Sequence, residues 1–181
     1  MNHITDENRA MFLRCLQRYH EMYDEKEFML RQEYTPKGYH THYQGKTVHP
    51  TCDSMVYALA LLDTESEEYY SRANDIIDRI LSLQDINPNN DTFGIWSWYL
   101  EEPLSEMAPP DWNWADFLGK VFLQIAADYP SVLGVERLEA VFRCIERCCR
   151  SIIRRDVRIT YTNIAVMDAV VTIFAGELLK N

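Results

Sequence analysis

Apolar residues return every three or four positions along most of the chain, and no run alternates with period two between hairpin turns, so the pattern predicts an all-α protein. A first helix is expected over residues 5–33, with Phe12, Cys15, Leu16, Tyr19, Met22 and Tyr23 on its inward stripe and Thr35-Pro36-Lys37-Gly38 as its stop. His49-Pro50-Thr51 introduces a second over residues 52–62, rich in Ala, Leu and Met. Thr64 and Glu67 have the spacing of a capping box, ahead of a third helix whose apolar face is Tyr70, Ala73, Ile76, Ile77, Ile80 and Leu81. Asn87-Pro88-Asn89-Asn90 ends it.

Residues 91–110, with Gly94, Pro103, Pro109 and Pro110, make a connection longer than helices usually need, and long loops often carry function. A fourth helix follows, capped by Asp111 or Asn113 with Asp116 as the cap's partner, and Trp114, Phe117, Leu118, Val121, Phe122 and Ile125 turn inward as far as Tyr129-Pro130. Residues 135–154 predict an amphipathic outer helix, with Leu138, Val141, Phe142, Ile145, Cys148, Cys149 and Ile152 opposite Arg143, Glu146, Arg147 and Arg150. The last helix, 160–179, is apolar almost all round (Ile164, Val166, Met167, Val170, Val171, Ile173, Phe174, Leu178), as an inner helix should be. Six or seven helices in antiparallel α/α hairpins, inner and outer members alternating, describe a helical bundle or a layered array.

A length of 181 residues fits one domain, 1–181. Eighteen Lys and Arg against 28 Asp and Glu give a net charge of −10, which repels phosphate backbones and anionic lipid heads, so neither nucleic acid nor membrane is an expected partner. The N-terminal residues are polar and acidic, unlike a secretory signal, and the longest apolar stretch, 164–179, carries Asp168 and Glu177. Five cysteines, three of them in one helix and none in a Cys-x-x-Cys pair, suit packing rather than disulfide, redox or zinc roles. A cytoplasmic protein is expected.

The runs Gly94-Ile95-Trp96-Ser97-Trp98-Tyr99-Leu100-Glu101-Glu102-Pro103, Pro110-Asp111-Trp112-Asn113-Trp114-Ala115-Asp116-Phe117 and Tyr161-Thr162-Asn163-Ile164 resemble the inner-rim segments of (α/α) toroid proteins of the six-hairpin glycosidase type. The resemblance runs from about His49 to the C-terminus and implies a carbohydrate-active or carbohydrate-binding protein. A full toroid of that type has twelve helices, so six or seven imply an open half, a fragment or a smaller relative.

All four tryptophans, Trp96, Trp98, Trp112 and Trp114, fall within 19 residues, with Tyr99 and the acids Glu101, Glu102, Glu106, Asp111 and Asp116 among or beside them. Sugars present apolar C–H faces and hydroxyl rims, so stacking aromatics beside carboxylates suit an oligosaccharide cleft. Glycoside hydrolysis needs an acid and a base or nucleophile roughly 5 to 9.5 Å apart. Glu101 among aromatics suits the acid, and Asp111 at a helix N-terminus suits the base or nucleophile. Trp96, Trp98, Tyr99, Trp112, Asn113, Trp114 and Tyr161 would line the groove. The competing reading makes this segment a plug of the helical core, with tryptophans as anchors and acids as caps.

His40, His42 and His49 share an irregular segment with Tyr39 and Tyr43, where a lyase-like exchange of protons is a further alternative, with Asn113 neutralising a uronate. No acid lies between Tyr34 and Pro50 to complete a metal site, and neither metal nor cofactor is expected. A reading from another class is a non-catalytic helical interaction module. Its apolar last helix would leave a flank uncovered, so self-association or docking of a further domain is expected.

Overall fold

A computed structural model describes residues 6–36 and 39–180, without the side chains of Asp6, Glu7 and Arg9. These residues are predominantly helical. The helices are α1 (Asp6–Met22), α2 (Thr51–Leu62), α3 (Tyr70–Ser82, entered through a 3-10 turn at Glu67–Tyr69), α4 (Trp114–Asp128), α5 (Pro130–Arg155) and α6 (Thr162–Leu179). Four two-residue strands, β1 (Tyr23–Asp24), β2 (Met29–Leu30), β3 (Gln32–Glu33) and β4 (Thr47–Val48), pair antiparallel as β1 with β2 and β3 with β4.

The first helix is shorter than its periodicity predicts. After Met22 the chain turns into the β1–β2 hairpin, where Asp24 Oδ1 accepts the Lys26 N–H at 2.9 Å and Phe28 takes φ 54°. Tertiary capture decides against helix there. Met29 and Leu30 are fully buried, and the Leu30 N–H donates to Ser54 Oγ of α2 at 2.9 Å. The expected start at Thr5 and the Lys37-Gly38 part of the stop lie outside the described residues. Thr64 is no capping box either, because its hydroxyl turns back to donate to the Leu61 carbonyl at 2.7 Å and accepts the Ser66 N–H at 3.1 Å.

One core joins α2 to α6, with α2 packed on α3 and α4, α4 on α5 and α6, and α3 on α5. Named contacts fix the registers. Trp114 Nε1 donates to Thr51 Oγ1 at 2.9 Å and the Tyr129 hydroxyl to Asp63 Oδ1 at 2.5 Å. Asn74 donates to the Val132 carbonyl at 3.3 Å, Arg137 grips Asp78 with two bonds of 2.7 and 2.8 Å, and Arg147 donates to Gln84 at 3.0 Å. Gly119 lets α4 approach its neighbours closely: a Cβ there would lie 3.2 Å from Val171 of α6 and 3.4 Å from Cys148 of α5. Within α5 the helix breaks at Gly134, φ 71°, so the regular part begins where the sequence pattern placed it.

The last helix departs from its expected inner place. Ile164, Val171 and Ala175 are buried, but Val166, Val170, Ile173 and Phe174 are 58, 41, 60 and 56 % exposed. Among the described residues its packing is mainly one-sided, against α4 and α5. With 18 residues and a mean hydropathy of 1.5, α6 is long and apolar enough to cross a membrane by length and composition, and 17 % of it is buried here.

Candidate functional site

The Trp-rich segment is held by backbone pairing before any side chain acts. Residues 49–51 run beside 98–100: the Thr51 N–H donates to the Trp98 carbonyl and the Leu100 N–H to the His49 carbonyl, both at 3.0 Å. At its start, Gly94 has φ 87° and a Cβ would sit 2.4 Å from the Arg147 carbonyl oxygen, so only glycine fits.

The four indoles divide between core and surface. Trp96 is fully buried, stacked on Phe122 at 5.8 Å, with its N–H on the Ile80 carbonyl at 2.7 Å. No face of it is left for a sugar ring. Trp98 is 4 % exposed and donates to Asp111 Oδ2 at 3.1 Å, while Tyr39, His40 and Trp114 surround its ring at 5.5, 5.4 and 5.2 Å. Tyr99 is buried as well, and that burial pushes its phenol up to about 12. Trp112 and Trp114 are half-buried. Arg155 covers one face of Trp112, its guanidinium carbon 3.2 Å from the ring centroid.

Asp111 and Glu101 both have partners within the fold. Asp111, 6 % exposed, accepts the Trp98 indole N–H and, through Oδ1, the Asn113 N–H at 3.1 Å. It therefore holds the turn into α4, and Asn113 at the N-cap makes no side-chain capping bond. Glu101 Oε2 accepts the His49 N–H at 3.0 Å, and Oε1 is paired with His49 Nδ1. His49 Nε2 faces Asp24 Oδ2 at 3.4 Å, so one ring is clamped between two carboxylates from distant parts of the sequence. The Lys26 N–H, and then His49, hold the Asp24 carboxyl below its ordinary value.

Beside this clamp, Glu102 is buried, accepting the His42 N–H at 2.6 Å through Oε1 while Oε2 has no hydrogen-bond partner among the described residues. His40 Nδ1 meets the Pro109 carbonyl at 2.6 Å. The structure thus brings the histidine segment onto the Trp-rich segment, a meeting that neither shows alone. Tyr161 stands 50 % exposed at the start of α6.

Three placements were not legible in the sequence pattern. Asp24 was hidden inside an apparent helix. Asp116 is not a cap partner: it is 2 % exposed on the inner side of α4, with Oδ1 unpartnered among the described residues, and burial followed by the facing Asp168 raises its carboxyl to about 9. Arg155 reaches Trp112 from a different helix, so no local signal could pair them. The cysteines behave as small apolar groups, Cys144 and Cys148 being fully buried, and burial raises the Cys148 thiol above its ordinary range.

Residues 9–181 match the family described as a domain of unknown function, DUF8769, and the chain belongs to that family. No curated protein and no solved structure matches it.

Proposed function

We propose that this member of the DUF8769 family is a helical interaction module: a partial (α/α) hairpin array that pairs with a second copy through α6, its aromatic segment plugging the core. Residue registers support the array. Thr51 with Trp114 and Asp63 with Tyr129 join the beginnings and the ends of α2 and α4, which fits parallel helices. Asp116 with Asp168 and Gly119 with Val171 give the same sense for α4 and α6. Asn74 with Val132, Asp78 with Arg137 and Gln84 with Arg147 do so for α3 and α5. One row of α2, α4 and α6 beside a row of α3 and α5 is the order that alternating hairpins produce.

The observation that carries the assembly reading is the exposed apolar face of α6. Val166, Val170 and Ile173 follow a spacing of four and three, the seam of paired helices, with Phe174 beside them. Between α4 and α6 lies a groove of about 510 Å³ lined by Leu123, Val170, Phe174 and Leu178, with Lys120 toward its start and Asp128 and Glu177 toward its end. A two-fold axis across that groove sets Lys120 of each copy against the acids of the other. Light scattering on the eluting protein tests this: a dimer is expected, with Ile173→Glu monomeric and equally helical. A monomeric parent, or flotation with vesicles made of neutral lipid, contradicts it.

A second reading, oligosaccharide contact, is favoured by the place of Trp114, Asn113 and Tyr161. In an array of parallel inner helices the starts of α4 and α6 share one rim. Intrinsic fluorescence against neutral oligosaccharides tests it, and an unchanged spectrum across the panel removes this reading while leaving the dimer untouched.

A further inference from the structure

The cations of this acidic chain are unevenly placed: six of its 18 Lys and Arg residues are arginines between positions 143 and 158. Four of them have partners within the chain. Arg143 and Arg150 face Glu139 and Glu146 at 3.6 and 2.6 Å, one turn back on the same helix. Arg147 donates to Gln84 at 3.0 Å, and Arg154 donates to the carbonyls of Asn90 and Pro88 at 3.0 and 3.3 Å.

Arg155 is engaged differently. Its guanidinium carbon sits over the Trp112 ring, 3.2 Å from the centroid, and no hydrogen bond or ion pair among the described residues engages its N–H groups. The indole beneath is itself pinned, with Nε1 donating to the Asp91 carbonyl at 3.0 Å. The contact with the ring holds the cation in place while Arg155 remains exposed, so its N–H groups are open to a ligand from solvent. Partial burial lowers the Arg155 pKa; the Asp91 carboxylate acts against that, and the charge of Arg154 adds to it by less. Exposed Arg158 follows three residues later and exposed Tyr161 three beyond it, on the short link into α6.

We propose that the edge of Arg155, held over Trp112, is a binding subsite for an oxyanion, a carboxylate or phosphate group carried by a small ligand and gripped by two parallel N–H donors. Neither tryptophan-bearing run of the sequence contains an arginine; α5 supplies it. The subsite is independent of pairing through α6, since Arg155 and Trp112 lie outside the α4–α6 groove.

Titration of the whole chain with trigalacturonate and, separately, with inorganic phosphate tests the proposal, read by tryptophan fluorescence at ionic strength held constant with KCl. A saturable change is expected with at least one of the two and none with neutral maltotriose. Trigalacturonate alone identifies a carboxylate, phosphate alone a phosphate, and both together a general oxyanion site. Arg155→Gln is expected to weaken the dissociation constant tenfold or more. Arg150→Gln, which loses only a pairing with Glu146, is expected to leave it unchanged. Arg155→Lys keeps the charge without the fork, so it binds more weakly than the parent at an unaltered melting temperature, which guards against misfolding of the glutamine variant. No response to either anion, or equal affinities in the Arg155→Gln and Arg150→Gln proteins, overturns the proposal.

Discussion

A carboxyl group buried beside another carboxyl keeps its proton, and Asp116 facing Asp168 is in that position, with the charge of Lys120 opposing the shift only weakly. Its folded value of about 9 lies above the ordinary carboxylate value. Between that ordinary value and 9 the native chain holds a proton that the unfolded chain has released, so stability is greatest in acid and falls as pH rises across this window. The slope is at most about 1.4 kcal/mol per pH unit. Asp116→Asn should therefore raise the melting temperature clearly at pH 8 and little at pH 4. Parallel melting curves for parent and variant across that range would remove the charge argument.

The tryptophans make a second contrast at the same scale. Trp96→Ala should cost about 3 to 5 kcal/mol, as truncation of a buried ring does, whereas Trp112→Ala should cost about 1 kcal/mol or less; chemical denaturation reads both. The cluster of indoles was legible in the sequence because it is a local density of residues. Its division into buried Trp96 and surface Trp112 was not, because Ile80, Phe122 and Arg155 approach from other helices.

Among the elements, the helices of the core were legible because each offers enough turns for a stripe to repeat. Strands of two residues offer no period at all, and the charges of Tyr23-Asp24-Glu25-Lys26-Glu27 extend the apparent pattern of α1 straight through a turn. The hairpin exists because Met29 and Leu30 are captured under α2, a contact no window of the sequence contains. The Trp-rich segment depends likewise on one close approach. Gly94→Ala, which forces a side chain into both a positive φ and the Arg147 carbonyl, should destabilise by about 1 to 3 kcal/mol and shift the tryptophan emission, since the segment leaves its seat on α5. An unshifted spectrum with full stability would mean that Gly94 is not what positions it.

At the level of the whole molecule, the apolar character of α6 was legible but its place was not. A helix apolar on every side predicts burial on every side, and among the described residues this one is covered mainly where α4 and α5 meet it. The uncovered face is what the proposed pairing accounts for, and the ends of the adjoining groove give the pairing a sense. Charge reversal tests that sense most directly. Light scattering on Lys120→Glu should show a weakened dimer, because in each copy an acid now meets Asp128 and Glu177 of the other. Adding Glu177→Lys to the same chain should restore it. Pairing that is indifferent to the first change, or a second change that fails to recover it, would contradict association across the α4–α6 groove.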